Sequence, residues 1–265
     1  MKPHSSFIDI GVNLTHDQLY NNLDKVIKDM IDANVNNAII TSSCIDETYK
    51  ALQIIDKYPS IFYTTVGFHP HNAKDFKESN VTIIKELLNN KYVVAIGECG
   101  LDFYREYSTK YEQVSCFEHH LSLASETKKP LFLHERDAFN EFYDMLKNHS
   151  DNIQNFVVHC FTGNKSNLKK YLDLGAYIGI TGWITDPNRG SHLKNIIKFI
   201  PHDRIMIETD APYLIPHNIN FKHDGTNQPA YLHYVAEAVA LSMGLEINYL
   251  SIITRENTKR FFNLI

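Results

Sequence analysis

The sequence predicts an α/β protein, a single (β/α)8 TIM barrel over residues 1–265 with an extra C-terminal helix. Three observations carry this reading. Eight short, apolar, β-branched runs alternate with helix-patterned segments. Metal-type side chains (Asp9, His69 with His71, Glu98, His134, His159 and Asp210) stand at the C-terminal ends of six of those runs, where a barrel builds its site. The length of 265 residues suits one α/β barrel.

The first run, FIDIGVN (7–13), follows an N-terminus with no apolar leader, so the chain is read as cytoplasmic. A helix is expected over 17–34, where Leu19, Leu23, Val26, Ile27, Met30 and Ile31 recur at helical spacing. AIITSSC (38–44) precedes a helix at 46–57, and YTTVGFHPH (63–71) one at 80–90. VVAIGECG (93–100) leads to a helix at 109–128, and PLFLHE (130–135) to one at 137–148. FVVHCFTG (156–163) is followed by a helix at 164–174, and YIGITGWI (177–184) by one at 190–199. The last run, IMIETDAP (205–212), opens a long loop over 212–232, and helices at 228–243 and 246–263 close the chain. Runs apolar throughout are strands buried on both faces, and strict alternation implies parallel pairing with right-handed crossovers. An open doubly wound sheet also fits the alternation. It would gather its site at one switch point, whereas ligands at six strand ends favour closure.

Composition narrows the function. Hydrophobic residues make up 43%, enough for a sizeable core. No run approaches the roughly 18 apolar residues a membrane helix needs, so no membrane partner is expected. Four cysteines, none in CxxC spacing, are read as reduced thiols. A net charge of −5 provides no basic surface for gripping nucleic acid broadly. A nucleic-acid ligand would be held locally, and the chain is read as a monomer.

Glu98, His134, His159 and Asp210 come from four different runs, and in a barrel those strand ends ring one axis. Two imidazoles and two carboxylates there form a divalent-metal set. Asp210, in ETDAP, is placed to take a proton from attacking water as general base. Glu208, two residues earlier, sits one layer deeper as support, and Asp9 and Asn13 join it there. In GFHPH, Pro70 fixes the separation of His69 and His71, which suit an anionic oxygen of the substrate. Arg136 either binds a phosphate or pairs with Glu135 or Asp137. Trp183 either flanks the pocket or packs in the core, and His119 and His120 are read as surface residues. In the first strand, Gly11 and Asn13 stand where barrel hydrolases of the amidohydrolase type carry His-x-His. The loss of two nitrogen ligands shifts the expected metal from Zn2+ toward Mg2+ or Mn2+ and leaves one or two ions open.

With FIDIGVNLT, GFHPH, AIGECGLDF, HCFTG, YIGITGW and IETDAPYL together, the chain resembles the TatD-related deoxyribonucleases nearly end to end. The resemblance implies a TIM-barrel, Mg2+-dependent phosphodiester hydrolase. It implies 3′→5′ exonuclease action on single-stranded DNA, with RNA as a further substrate, in DNA repair or degradation. It also matches the family's metal ligands to Glu98, His134, His159 and Asp210, and an active-site histidine to His69. The alternative is a hydrolase of the same fold acting on an amide, ester or aminoacyl-tRNA, because fold does not fix substrate.

Overall fold

The computed structural model describes residues 6–264. His4, which has no assigned role, lies outside them. The strands are β1 (Phe7–Val12), β2 (Val35–Ile40), β3 (Phe62–Val66), β4 (Val93–Asp102), β5 (Leu131–Arg136), β6 (Phe156–Val158), β7 (Tyr177–Ile180) and β8 (Ile205–Ile207). They form one sheet in the order β1 through β8. The strand pairs β1–β2, β3–β4, β4–β5, β5–β6 and β7–β8 are all parallel. The chain leaving β8 returns to β1 through a parallel bridge between Val12 and Ala211 and an Asp210 N–H to Gly11 carbonyl bond of 2.8 Å. A parallel sheet that meets its own first strand is the predicted (β/α)8 barrel.

The helices are α1 (Asp17–Tyr20), α2 (Leu23–Asp32), α3 (Ile45–Lys57), α4 (Ser79–Leu87), α5 (Lys110–Thr127), α6 (Phe139–His149), α7 (Lys165–Asp173), α8 (Leu193–Ile196), α9 (Leu232–Met243) and α10 (Ile247–Phe262). The single helix expected over 17–34 is broken between Tyr20 and Leu23, where two asparagines interrupt it. The helix expected over 190–199 keeps one α-turn and finishes as a 3-10 turn at Ile197–Phe199. No single helix among the described residues is long and apolar enough to cross a membrane.

The described residues fall into two compact units. One comprises the residues up to Ile40, Cys160–Leu168 and the chain from Ile178 onward. Its core is built from Ile10, Val12, Met30, Val35, Ile39, Ile205, Met206, Val235, Val239 and Leu250, all fully buried. The other comprises Thr41–His159 and Lys169–Tyr177. Phe62, Ile96, Phe117, Leu121, Phe132, Phe142 and Tyr171 fill its core, with Phe117 stacked on Phe142 at 5.2 Å. Each buried large side chain of this kind contributes on the order of 1.5–3 kcal/mol. All ten residues of β4 are buried, so both its faces are covered.

Helix α5 shapes the site, and its start is written in the sequence. Thr109 and Glu112 form a capping box: the Glu112 N–H donates to the Thr109 hydroxyl at 3.3 Å, and the Thr109 N–H donates to the Glu112 carboxylate at 2.7 Å. The helix ends at Lys128, whose left-handed backbone turns the chain toward Pro130.

Candidate metal centre and active site

Strands β4 and β5 approach closely because two glycines leave room. A Cβ on Gly97 would lie 2.3 Å from the Phe132 carbonyl oxygen, and one on Gly100 would lie 2.0 Å from that of His134. Both also adopt φ near +140°, a conformation side chains rarely accept. Gly100 is in register with His134 and Asp102 with Arg136. The GECG motif thus clears space on both sides of Glu98.

Three imidazoles converge on one oxygen of the buried Glu98. His159 Nε2 lies 2.8 Å from Glu98 Oε1, His134 Nδ1 2.9 Å and His69 Nε2 3.3 Å. His134 Nδ1 is also 3.3 Å from His159 Nε2. Burial alone would raise the Glu98 carboxyl, but the His159 and His69 rings and the contacts with His134 outweigh it and hold its pKa well below the usual range. His134 is opposed by burial too, yet the Asp102 and Glu98 carboxylates beside it keep its pKa above the ordinary histidine value. His69 goes the other way: burial dominates the attraction of Glu98 and lowers it to about 4. Its Nδ1 accepts the His71 N–H at 3.1 Å, so the proton of the neutral ring is on Nε2, facing Glu98.

Asp102 is a site residue that the sequence reading missed. It is four residues beyond Glu98 on β4 and therefore on the same face of the strand. Its Oδ2 lies 2.7 Å from His71 Nε2, and its Oδ1 accepts the N–H groups of Tyr104 and Arg105 at 2.9 and 3.0 Å. Burial would raise this carboxyl, but His134, His71 and the Arg105 N–H hold it well below the usual carboxylate range. His71 is therefore committed to a carboxylate.

Helix α5 holds this corner from behind. Buried Gln113 accepts the Asp102 N–H at 2.8 Å and donates to the carbonyls of Asp102 and Ser108 at 2.9 and 3.0 Å. His120, read from sequence as a surface residue, is fully buried. Its Nε2 accepts the Phe68 N–H at 3.1 Å and its Nδ1 donates to the Cys116 carbonyl at 2.7 Å, so it fixes the residue preceding His69.

Asp9, Asn13, Trp183, Glu208 and Asp210 belong to the other compact unit and are described within it, while Arg136 ends β5 in this one. Asp210 follows β8 with φ of 54°, and the Asn13 amide donates to its Oδ1 at 3.1 Å and to the Ala211 carbonyl at 3.2 Å. Asp9 is not at a strand end but in the middle of β1, fully buried. It accepts the N–H groups of Thr209 at 3.0 Å and Gly11 at 3.1 Å, and burial pushes its pKa up to about 7 against those bonds. Glu208 accepts the Cys160 N–H at 2.6 Å. The Trp183 ring is covered by the Arg189 guanidinium, 4.3 Å from its centroid.

A family model described as TatD related DNase matches residues 8–263. The chain belongs to this family. A protein from Edwardsiella piscicida named "3'-5' ssDNA/RNA exonuclease TatD" is 40% identical over 258 residues, covering 97% of this chain and 99% of its own. A protein of the same name from Yersinia pseudotuberculosis is 41% identical over 258 residues, with the same coverage. Among solved structures, a hydrolase TatD family protein from Entamoeba histolytica superposes with a TM-score of 0.88 at 27% identity, over 97% of this chain and 98% of that one.

The cluster fits a divalent cation. His69, Glu98 and His134 offer ligand atoms within 4.8 Å of one another. The buried His134 Nε2 has no hydrogen-bond partner among the described residues, since Asp102 Oδ2 at 3.7 Å is too far for one. An orphaned ring nitrogen amid imidazoles and carboxylates is a donor set for such an ion.

Proposed function

We propose that this protein is a metal-dependent phosphodiesterase that removes nucleotides from the 3′ end of single-stranded DNA and RNA, acting as a cytoplasmic monomer. The observation that supports this most is the gathering of three imidazoles on Glu98 beside the unpaired His134 Nε2. Glu98, His134 and His159 would hold a divalent cation, and the sequence reading adds Asp210 to that set. The cation supplies Lewis-acid stabilisation of phosphoryl charge and acidifies water. Mg2+ is the choice suggested by Gly11 and Asn13 in the first strand, while the imidazole-rich cluster favours Mn2+ or Zn2+.

The chain's own residues do the rest. Asp210 takes the proton from the attacking water, and Asn13 orients that carboxylate. His69 is neutral at working pH, and its one N–H, directed at Glu98 in this structure, would serve the transferring phosphate once Glu98 turned to a bound cation. His71, held by Asp102, stands next to it, with the two ring centroids 4.2 Å apart. Asp9 and Glu208 keep the backbone around Thr209 and Cys160 in place.

The test uses oligonucleotides labelled at either end. Purified protein with Mg2+, Mn2+ or Zn2+ should release label from the 3′ end first and lose activity with chelator and in His134→Ala. Activity confined to a panel of amides, esters and aminoacyl-tRNA would overturn the proposal.

A further inference from the structure

The connection from β4 to α5 carries two tyrosines that the proposed chemistry does not use. Tyr104 and Tyr107 are each 62% exposed, in a chain whose other rings are mostly covered. Neither belongs to a loose surface loop. The Tyr104 N–H donates to Asp102 Oδ1, on the carboxylate whose other oxygen faces His71. The Phe103 N–H donates to the Arg136 carbonyl at 2.9 Å, tying this segment to the end of β5. The Arg136 guanidinium lies 4.1 Å from the Tyr104 ring centroid, and the Tyr107 ring stands edge-on to His71 at 4.7 Å and 76°. A cation on one ring and an active-site imidazole against the other put two exposed π-surfaces beside the cluster.

We propose that Tyr104 and Tyr107 form a base-stacking strip for the nucleotides next to the scissile phosphate, with Arg136 supporting Tyr104. The inference rests on the nuclease reading above and identifies where that substrate is held. Stacking suits a chain with net charge −5, which has little basic surface to track a phosphate backbone. Every base has a π-face, so the strip tolerates sequence and accepts DNA and RNA alike. Arg136 adds a charge that meets a neighbouring phosphate from its place on the ring.

The experiment compares an intact single-stranded oligonucleotide with one whose two 3′-terminal nucleotides are abasic. Wild type, Tyr104→Phe, Tyr104→Leu and Tyr107→Leu are assayed on both. On the intact strand the two leucine variants should raise KM by about tenfold with kcat within about twofold, as loss of one stacked base predicts. Tyr104→Phe should stay near wild type because the ring is kept. On the abasic strand all four should share one KM, because there is no base to stack. Equal KM penalties on the two strands, or none on either, would overturn the strip. Wild type inactive on the intact strand with every metal would instead remove the nuclease reading itself, and that result is visible before any variant is made. Thermal unfolding of each variant confirms that the exposed substitutions leave the fold intact.

Discussion

The refusal of buried His120 to take a proton should cost the protein about 2–3 kcal/mol of stability by pH 4.5, a magnitude that follows from its surroundings. The ring is fully buried in α5, with Nδ1 donating to the Cys116 carbonyl and Nε2 accepting from Phe68. A second proton would sit on Nε2 and face an N–H donor. Burial, against the pull of the Cys116 carbonyl and helped by His119, lowers its pKa from 6.5 to about 4. Between those values the unfolded chain binds a proton that the native ring refuses, so stability is full above pH 6.5 and falls as pH drops toward 4. Going from pH 7.5 to 4.5, the two binding curves separate by about 2–3 kcal/mol. The assay is urea unfolding at both pH values for wild type and His120→Gln, which cannot titrate. Buried His69 shifts in the same direction but is present in both proteins, so the wild-type minus variant difference isolates His120. If that difference is the same at both pH values, the ring does not titrate as the structure requires and its buried, neutral state is wrong.

Four other outcomes can be checked. Gln113→Leu removes three buried hydrogen bonds and should lower stability by about 2–4 kcal/mol in chemical denaturation; a loss under about 1 kcal/mol would mean water replaces them. Gly100→Ala places a Cβ against the His134 carbonyl and should cost about 3 kcal/mol or more together with activity, read by thermal unfolding and turnover. Asp210→Asn should keep the melting temperature but cut turnover by roughly 10²–10⁴-fold; near wild-type rates would exclude it as the base. His69→Ala should lower turnover more than metal affinity, and a calorimetric metal titration giving the reverse would make it a ligand.

The barrel was legible because its signals are local. Eight apolar runs and the helical spacing between them mark every strand and nearly every helix. β2 begins at Val35, three residues before the expected run, because exposed Asn36 and half-buried Asn37 hide it. The site was legible only as a set of chemically rich residues. Asp102 went unnoticed although its spacing of four from Glu98 put it on the same strand face. His120 was misread because histidine has no fixed preference for the interior. Its helical neighbours tell more: Gln113, Cys116, Phe117, Leu121 and Ala124 form the buried stripe that His120 completes, while His119 lies off it. Asp9 looked like a strand-end ligand because the apolar run surrounds it, but hydrogen bonds to Thr209 settle it inside β1.

Helix α5 gives the protein a point of shared failure. The amide before His69, both backbone polar groups of Asp102 and the Ser108 carbonyl all end on two of its side chains, His120 and Gln113. A fluctuation that lifts this one helix would release the histidine loop and the Asp102 corner together while the strands stay paired. Catalytic competence is then governed by the free energy of a local opening, which is smaller than that of global unfolding. On heating, activity should fade before the far-ultraviolet signal of the barrel changes, and it should return as soon as the helix settles back.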